Sequence, residues 1–275
     1  MESGYFKTID GTSIYYSIDD FTDGWRKPES VLCIHGLAES TDAWRAWVPH
    51  LARQFRVVRF DLRGFGRSTP MESGYSWSTD VILKDIDGLV SHLGLKKTNL
   101  VGCKSGGTVA LAYASYYPQK VEALAVLGSH PYGPEETWLP FIEEHGVRRW
   151  LEETMPRRLA SLSPEAMQWW IDLMAKTPLS TLQGYLRWFP TVNLTEEIRN
   201  IQAPTLVVTG GKIPNRKSSG NHEWAKSIPN SILKELQVDS SHIGGAYPDM
   251  CAKLVVDFMK DCTKTTSKKP EAANA

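Results

Sequence analysis

Residues 100–111, Leu-Val-Gly-Cys-Lys-Ser-Gly-Gly-Thr-Val-Ala-Leu, hold the residue types of this chain that are best suited to chemistry. Apolar residues lead into a Gly-x-x-x-Gly-Gly turn, and small residues suited to a packed helix follow. This pattern predicts a tight junction between a strand and a helix, because glycines around its centre avoid clashes with neighbouring backbone. The central residue of the junction is Lys104. The sequence therefore places an amine where such a junction presents a nucleophile.

The elements that position this junction follow from hydrophobic periodicity. Short apolar segments alternate with helical ones, which predicts an α/β fold: a mostly parallel, twisted sheet with helices on both faces. A hairpin turned at Asp10 and Gly11 precedes the alternation. The predicted strands are residues 5–9, 13–17, 30–34, 56–60, 99–101, 123–127, 205–209 and 233–238. The predicted helices are residues 44–54, 79–93, 106–117, 224–227 and 249–260.

The chain divides into one core, one insertion and a tail. Residues 1–130 and 201–262 form the predicted core, and residues 131–200 form a helical insertion rich in tryptophan and methionine. Residues 263–275 are mainly Lys, Thr, Ser, Pro and Ala with no apolar face, which predicts a disordered tail. At 275 residues with 41% hydrophobic residues, the chain is long enough for one substantial core.

Four further blocks match one known family in the correct order. They are the strand and His-Gly turn of residues 31–37, the Asp-Leu-Arg-Gly-Phe-Gly-Arg-Ser loop of residues 61–68, the strand of residues 203–210 and the Ser-His-Ile of residues 241–243. On these blocks and the junction at Lys104, the chain resembles the α/β-hydrolases, above all the 3-oxoadipate enol-lactonases and related esterases. The resemblance implies the α/β-hydrolase fold and identifies the insertion as a cap over the active site.

The resemblance also implies a catalytic triad, of which two positions differ. In the family a serine attacks a carbonyl, a histidine takes its proton and an acid after the seventh strand orients the histidine. His242 matches the histidine, but Ile213 stands at the acid position and residues 211–221 contain no carboxylate. Whether Glu136, Glu223 or another carboxylate replaces the acid is open at this stage. Because the serine position and the acid position both differ from the family, we interpret the site as naturally diverged.

Lys104 is expected to be a neutral amine. The positive end of the helix that starts near Ser105 and a covered apolar pocket both disfavour its charge and lower its pKa. A neutral amine is a nucleophile toward carbonyl carbons and a usable base. The backbone amides of Leu37 and Ser105 remain as oxyanion-hole donors, and His242 is the expected acid/base. A lysine that meets a carboxylate would instead stay charged and bind an anionic substrate.

The expected function is a cofactor-free reaction of a small carbonyl compound. The usual chemistry of the fold predicts hydrolysis of an ester or lactone. Lys104 instead predicts a reaction at a C–C or C–X bond, through an imine or by proton abstraction. A receptor without catalysis is an alternative from another class. Lys104 and Ile213 favour the receptor, and the retained His242 and oxyanion turn disfavour it.

A second register competes for the nucleophile position. Residues 103–107 also fit a relaxed small-x-Ser-x-Gly motif, which makes Ser105 the nucleophile of a serine hydrolase. We favour Lys104, because the shifted register leaves Gly102 without a role.

Three further residues are candidates for the substrate pocket. They are His130, at the end of a strand, and Trp138 and Trp188, in the insertion. Asp61 and Arg63 are interpreted as parts of a structural turn held by internal hydrogen bonds.

Composition disfavours several other classes of protein. The chain has 31 basic and 31 acidic residues and no basic run outside the tail, so neither nucleic acid nor an anionic membrane is an expected partner. No segment is apolar enough for a secretory signal or a membrane span. The four cysteines lack metal-ligand spacing, which favours a cytoplasmic, reduced protein without a metal. The sequence does not indicate the oligomeric state.

Overall fold

The sheet that carries the site has eight strands in the part of the chain that the computed structural model describes, residues 2–135, 138–210 and 222–266. The strand order is β1-β2-β4-β3-β5-β6-β7-β8. β2 pairs antiparallel with β1 and β4, and the other neighbouring pairs are parallel. The strands are β1 (Glu2–Lys7), β2 (Ser13–Asp19), β3 (Ser30–Ile34), β4 (Arg56–Phe60), β5 (Thr98–Cys103), β6 (Val121–Leu127), β7 (Thr205–Gly210) and β8 (Ser231–Leu236).

Helices cover both faces of this sheet, as the alternating pattern predicts. They are α1 (Val48–Leu51), α2 (Thr79–His92), α3 (Ser105–Tyr116), α4 (Leu139–Arg158), α5 (Pro164–Met174), α6 (Leu179–Trp188), α7 (Ile243–Ala246) and α8 (Pro248–Thr266). β3 and β5 are buried along their whole length, which explains their apolar runs. The predicted mostly parallel sheet with helices on both faces is confirmed.

Among the differences from the predicted bounds, two concern the helices α1 and α8. The helix predicted over residues 44–54 is broken into a 3₁₀ turn, Thr41–Trp44, and the single turn of α1. At the other end of the chain, α8 runs to Thr266, so the predicted disordered tail begins too early. Its last turns are held because Thr263 donates to the Met259 carbonyl at 3.1 Å and to a Glu29 carboxylate oxygen at 3.2 Å. Residues 267–275 lie outside the described part.

The loop after β4 is a structural brace, as its sequence suggested. The Asp61 carboxylate accepts hydrogen bonds from the backbone amides of Thr41 at 2.5 Å and Arg67 at 2.7 Å. The Arg63 guanidinium donates both Nε and Nη2 to the buried Asp85 carboxylate, at 2.7 and 2.6 Å. These contacts fix the loop against the 3₁₀ turn at Thr41 and against α2.

The insertion between β6 and β7 packs onto the loops at the carboxyl ends of the strands. Tyr185 of α6 stacks edge-on against Phe65 and Trp77, with ring centroids 5.4 and 5.2 Å apart. Thr177 donates to the Ala38 carbonyl at 3.2 Å, which ties the insertion to the loop after β3. Among the described helices, none has the combination of length and apolarity needed to cross a bilayer.

Candidate active site

Lys104 occupies the sharp junction between β5 and α3. The strand ends at Cys103, the helix begins at Ser105, and Lys104 between them has φ 56° and ψ −128°. Among the described residues, Lys104 and Ala38 are the two non-glycine residues with positive φ. A side chain in such a backbone costs about 1–3 kcal/mol and persists where the surrounding structure enforces it.

The flanking glycines allow this turn for the reason that the sequence suggested. A Cβ atom on Gly102 would lie 2.5 Å from the Gly106 carbonyl oxygen, and one on Gly106 would lie 2.2 Å from the Ile34 carbonyl oxygen. Both contacts are with backbone, which cannot move aside as a flexible side chain can. The two glycines are therefore required two positions before and two positions after Lys104, which fits the register centred on Lys104.

We expect Lys104→Gly to be more stable than Lys104→Ala by about 1 kcal/mol, because glycine adopts this backbone without strain. Both variants lack the amine, so the difference between their free energies of unfolding reports the backbone strain alone. Urea unfolding of the two proteins measures it. A Lys104→Ala protein at least as stable as Lys104→Gly would contradict the strained register.

The Lys104 side chain runs toward the loop that carries His242. Its Nζ donates to the Ser241 carbonyl oxygen at 3.1 Å. On the way it passes Gly128, where an added Cβ atom would lie 3.6 Å from the Lys104 Cδ. The amine and His242 are therefore brought to neighbouring positions at the same edge of the sheet.

His242 is buried, with 2% of its surface exposed, and both its ring nitrogens have partners. Nδ1 accepts a hydrogen bond from the Gly245 amide at 3.2 Å, so His242 caps the start of α7. Nε2 lies 2.6 Å from Oε1 of Glu39. The Trp170 ring of the insertion covers the imidazole at a centroid distance of 5.3 Å.

Glu39 is the site residue that sequence reasoning missed. It lies in the loop after β3 and is 2% exposed, and its Oε2 accepts the Gly36 amide at 3.0 Å. Burial by itself raises the pKa of this carboxyl, but His242 when protonated and the hydrogen bonds from His242 and Gly36 lower the pKa below its usual value. The sequence did hold a signal, since Glu39 is the one acidic residue among residues 30–41.

The two predicted oxyanion donors are backbone amides at the same edge. Leu37 follows the His-Gly turn, and Ser105 is the first residue of α3. Within the described residues, neither amide donates to another protein group. A helix N-terminus leaves such amides without intrahelical partners, so they are suited to bind a negatively charged oxygen.

Comparisons with known proteins agree with this fold. The sequence model of the alpha/beta hydrolase fold family matches residues 29–161. The enol-lactonase from Burkholderia xenovorans LB400 superimposes with a TM-score of 0.84 at 23% identity, over 94% of this chain and 100% of that one. The protein has the α/β-hydrolase fold. A thermophilic esterase from Thermogutta terrifontis also superimposes on this α/β-hydrolase fold, with a TM-score of 0.83 at 20% identity, over 95% and 99% of the two chains.

Sequence relatives cover most of the chain. An uncharacterized hydrolase of Bacillus subtilis, YugF, is 24% identical over 92% of this chain and 96% of its own. Monoacylglycerol lipase ABHD6 of Mus musculus is 29% identical over 87% of this chain and 78% of its own.

Ser105, the competing nucleophile in this α/β-hydrolase fold, lies in the first turn of α3. Its Oγ is enclosed and has no hydrogen-bond partner among the described residues. The nearby Tyr185 phenol is also enclosed. Burial raises the pKa of that phenol, an effect that the Ser105 hydroxyl partly offsets. The hydrogen-bonding nitrogens of His242 face Glu39 and Gly245 instead of Ser105.

The predicted pocket residues take different places. His130 stacks on Tyr132 and His222, at centroid distances of 5.3 and 5.1 Å. Trp188 packs against Trp77 in the aromatic cluster beside the site, and the centroids of the two rings are 6.3 Å apart.

Trp138 directly precedes α4, and its place in the substrate pocket stays a prediction. Its side chain is 45% exposed and contacts Phe141 at the start of α4. Trp170 of α5 takes the position against His242 instead, because α5 and not the start of α4 packs over that loop. A cavity of about 10 Å³, lined by Trp170, His242 and Glu39, remains there. It is about large enough for one water molecule.

The described part of the structure provides neither of the two carboxylates that the sequence offered as a replacement for the triad acid. Glu223 is exposed and pairs with Lys226 at 2.6 Å. Glu136 and Ile213 lie outside the described residues.

Proposed function

We propose that the protein is an α/β-hydrolase-fold enzyme that acts on a small carbonyl compound, with the Lys104 amine in the place of the usual serine hydroxyl. The observation that carries this proposal is the backbone of Lys104, with φ 56° and ψ −128° at the end of β5. Strain of this kind is typically retained where it presents a reacting group.

The surrounding groups suit reactions at a carbonyl carbon. A neutral Lys104 amine adds to the carbon, and the developing oxyanion receives hydrogen bonds from the amides of Leu37 and Ser105. Protonation of the adduct and loss of water give a protonated imine, whose positive charge weakens a neighbouring C–C or C–H bond. We assign the proton transfers to the His242–Glu39 pair, whose Nε2 and Oε1 atoms lie 2.6 Å apart, with the Glu39 carboxylate as the proton acceptor.

Ester or lactone hydrolysis is the second branch of the same proposal. The relatives named lipase and hydrolase and the structural neighbours named esterase and enol-lactonase support it. The cavity beside His242 and Glu39 has room for the one water that hydrolysis consumes. In this branch Lys104 binds the substrate or acts as a base.

Two alternative functions are each supported by a specific observation. The enclosed Ser105 hydroxyl, without a partner among the described residues, is compatible with a serine hydrolase in which substrate binding reorients the groups. A small-molecule receptor is supported by His242, since both of its ring nitrogens are engaged as in a fixed structural residue.

Borohydride reduction in the presence of keto acids should label Lys104. Reduction converts an imine into a stable amine, so the peptide that contains Lys104 should gain the mass of the reduced substrate. Lys104→Arg keeps the positive charge but forms no imine under these conditions, and it should give no adduct. Mass spectrometry of the digested protein is the measurement.

The exposed Lys84, paired with Asp80 at 2.8 Å on α2, is the internal control for nonspecific labelling. Labelling of Lys84 as strongly as Lys104 would contradict the imine branch. Ester turnover without any adduct would favour the hydrolytic branch, and binding without turnover of any substrate would favour the receptor.

A further inference from the structure

Glu39 reaches the site from the loop after β3, from which the sequence predicted only a backbone amide, that of Leu37. Ala38, with φ 61°, turns the chain so that Glu39 points inward, and the Glu39 amide donates back to the Gly36 carbonyl at 3.2 Å. The carboxylate then accepts from the Gly36 amide at 3.0 Å and from His242 Nε2 at 2.6 Å. Two hydrogen bonds therefore fix its position.

The partners of the imidazole determine where its proton lies. A backbone N–H can only donate, so the Gly245 amide at 3.2 Å requires an unprotonated Nδ1 on His242. The ring proton is then on Nε2, which donates to Glu39. This is the reverse of the usual triad, in which Nδ1–H donates to the acid and Nε2 faces the nucleophile.

Burial makes this contact costly to break. Glu39 and His242 each have 2% of their side-chain surface exposed, and a carboxylate left alone in such a place is strongly destabilised. Two further titratable groups face the pair: His35 beyond β3 lowers the pKa of Glu39, and Glu39 adds to the raised pKa of the buried Cys103 thiol. The carboxylate form of Glu39 is therefore the one that the fold selects.

We propose that Glu39 is the positioning residue of His242, in place of the acid that this fold normally carries after β7. The carboxylate holds the imidazole in the Nε2–H tautomer under Trp170. Its effect on turnover rests on the proposed function of the site, whereas its effect on the tautomer does not.

The tautomer of His242 can be measured directly with two-bond ¹H–¹⁵N correlation spectra of the imidazole. We expect a protonated Nε2 and an unprotonated Nδ1 in the wild type. Glu39→Ala removes the acceptor, so the signals should shift or average. Glu39→Gln keeps an acceptor oxygen at nearly the same place and should retain the tautomer. Glu29→Gln is the matched control, since Glu29 is half-buried and bonds to Asn99 at 3.0 Å, away from the site.

Turnover supplies the second readout. For Glu39→Ala we expect kcat to fall at least about 100-fold while KM changes less than about threefold, because the residue acts through His242 and not on bound substrate. Glu39→Gln should recover about tenfold of that loss, because it restores the hydrogen bond but not the charge.

The pH dependence of stability is a third readout that does not depend on activity. Since the pKa of Glu39 lies below its usual value of 4.5, its carboxylate stabilises the fold above that pH, and this contribution is lost as the pH falls through the folded-state pKa. Glu39→Gln should therefore lose less stability on acidification than the wild type or Glu29→Gln.

The outcomes separate the two proposals. A proton on Nδ1 of wild-type His242, or unchanged imidazole signals in Glu39→Ala, would overturn the role of Glu39 whatever the turnover. The expected tautomers in a protein that converts no carbonyl compound would support that role and overturn the enzymatic proposal instead.

Discussion

Lys104→Ala should lower kcat/KM toward the native substrate by about 10,000-fold or more, because loss of a catalytic nucleophile costs up to about a millionfold in other enzymes. The fold should survive, since the side chain is only partly buried. Lys104→Arg distinguishes the two roles of the amine. Arginine keeps the charge and loses the nucleophile, so it should be as inactive as alanine. Steady-state kinetics with keto acids and with esters measures both.

The same measurement on Ser105→Ala tests the competing register. If Ser105→Ala loses turnover while Lys104→Ala retains it, Ser105 is the nucleophile and the junction chemistry is that of a serine hydrolase. Substantial activity in Lys104→Arg would assign Lys104 to anion binding. Lys84→Ala, which removes an exposed lysine on α2, controls for the loss of one positive charge.

The sheet was predictable from sequence because its signals are local. The bounds of β3 and β4 agree residue for residue with the predicted strands, since largely buried strands are rich in apolar residues. The junction at Lys104 was also predictable, because its glycines are demanded by backbone atoms a few residues away or on the adjacent strand. The end of α8 was not, because its last turns depend on a hydrogen bond from Thr263 to the distant Glu29.

The candidate site was predictable only in part, for the same physical reason. Lys104 and His242 could be found because each sits in a recognisable short motif. The contact between Glu39 and His242 joins residues 203 positions apart, and no local pattern encodes it. Trp170 is likewise chosen over Trp138 by the packing of α5 over the histidine loop, which periodicity within the insertion does not reveal.

The second large effect is a gain of esterase activity that requires the removal of Glu39. Lys104→Ser places a hydroxyl at the strained junction, next to the amides of Leu37 and Ser105. Alone it should hydrolyse esters poorly, because His242 Nε2 donates to Glu39 and offers the hydroxyl no lone pair. In Lys104→Ser/Glu39→Ala the ring nitrogen is released, and hydrolysis of p-nitrophenyl acetate should rise at least about tenfold above the single variant.

Adding Ile213→Asp to this pair should raise the rate further, by orders of magnitude. The resemblance assigns residue 213 to the acid that holds Nδ1–H, and disabling that acid costs on the order of 10,000-fold in serine hydrolases. Lys104→Ala/Glu39→Ala is the matched background, since it has the same cavity and no hydroxyl. If Lys104→Ser alone equals the double variant, Glu39 does not hold His242 away from the nucleophile. If the double variant equals its background, the hydroxyl at position 104 is not presented to substrate, and the junction does not deliver a nucleophile there.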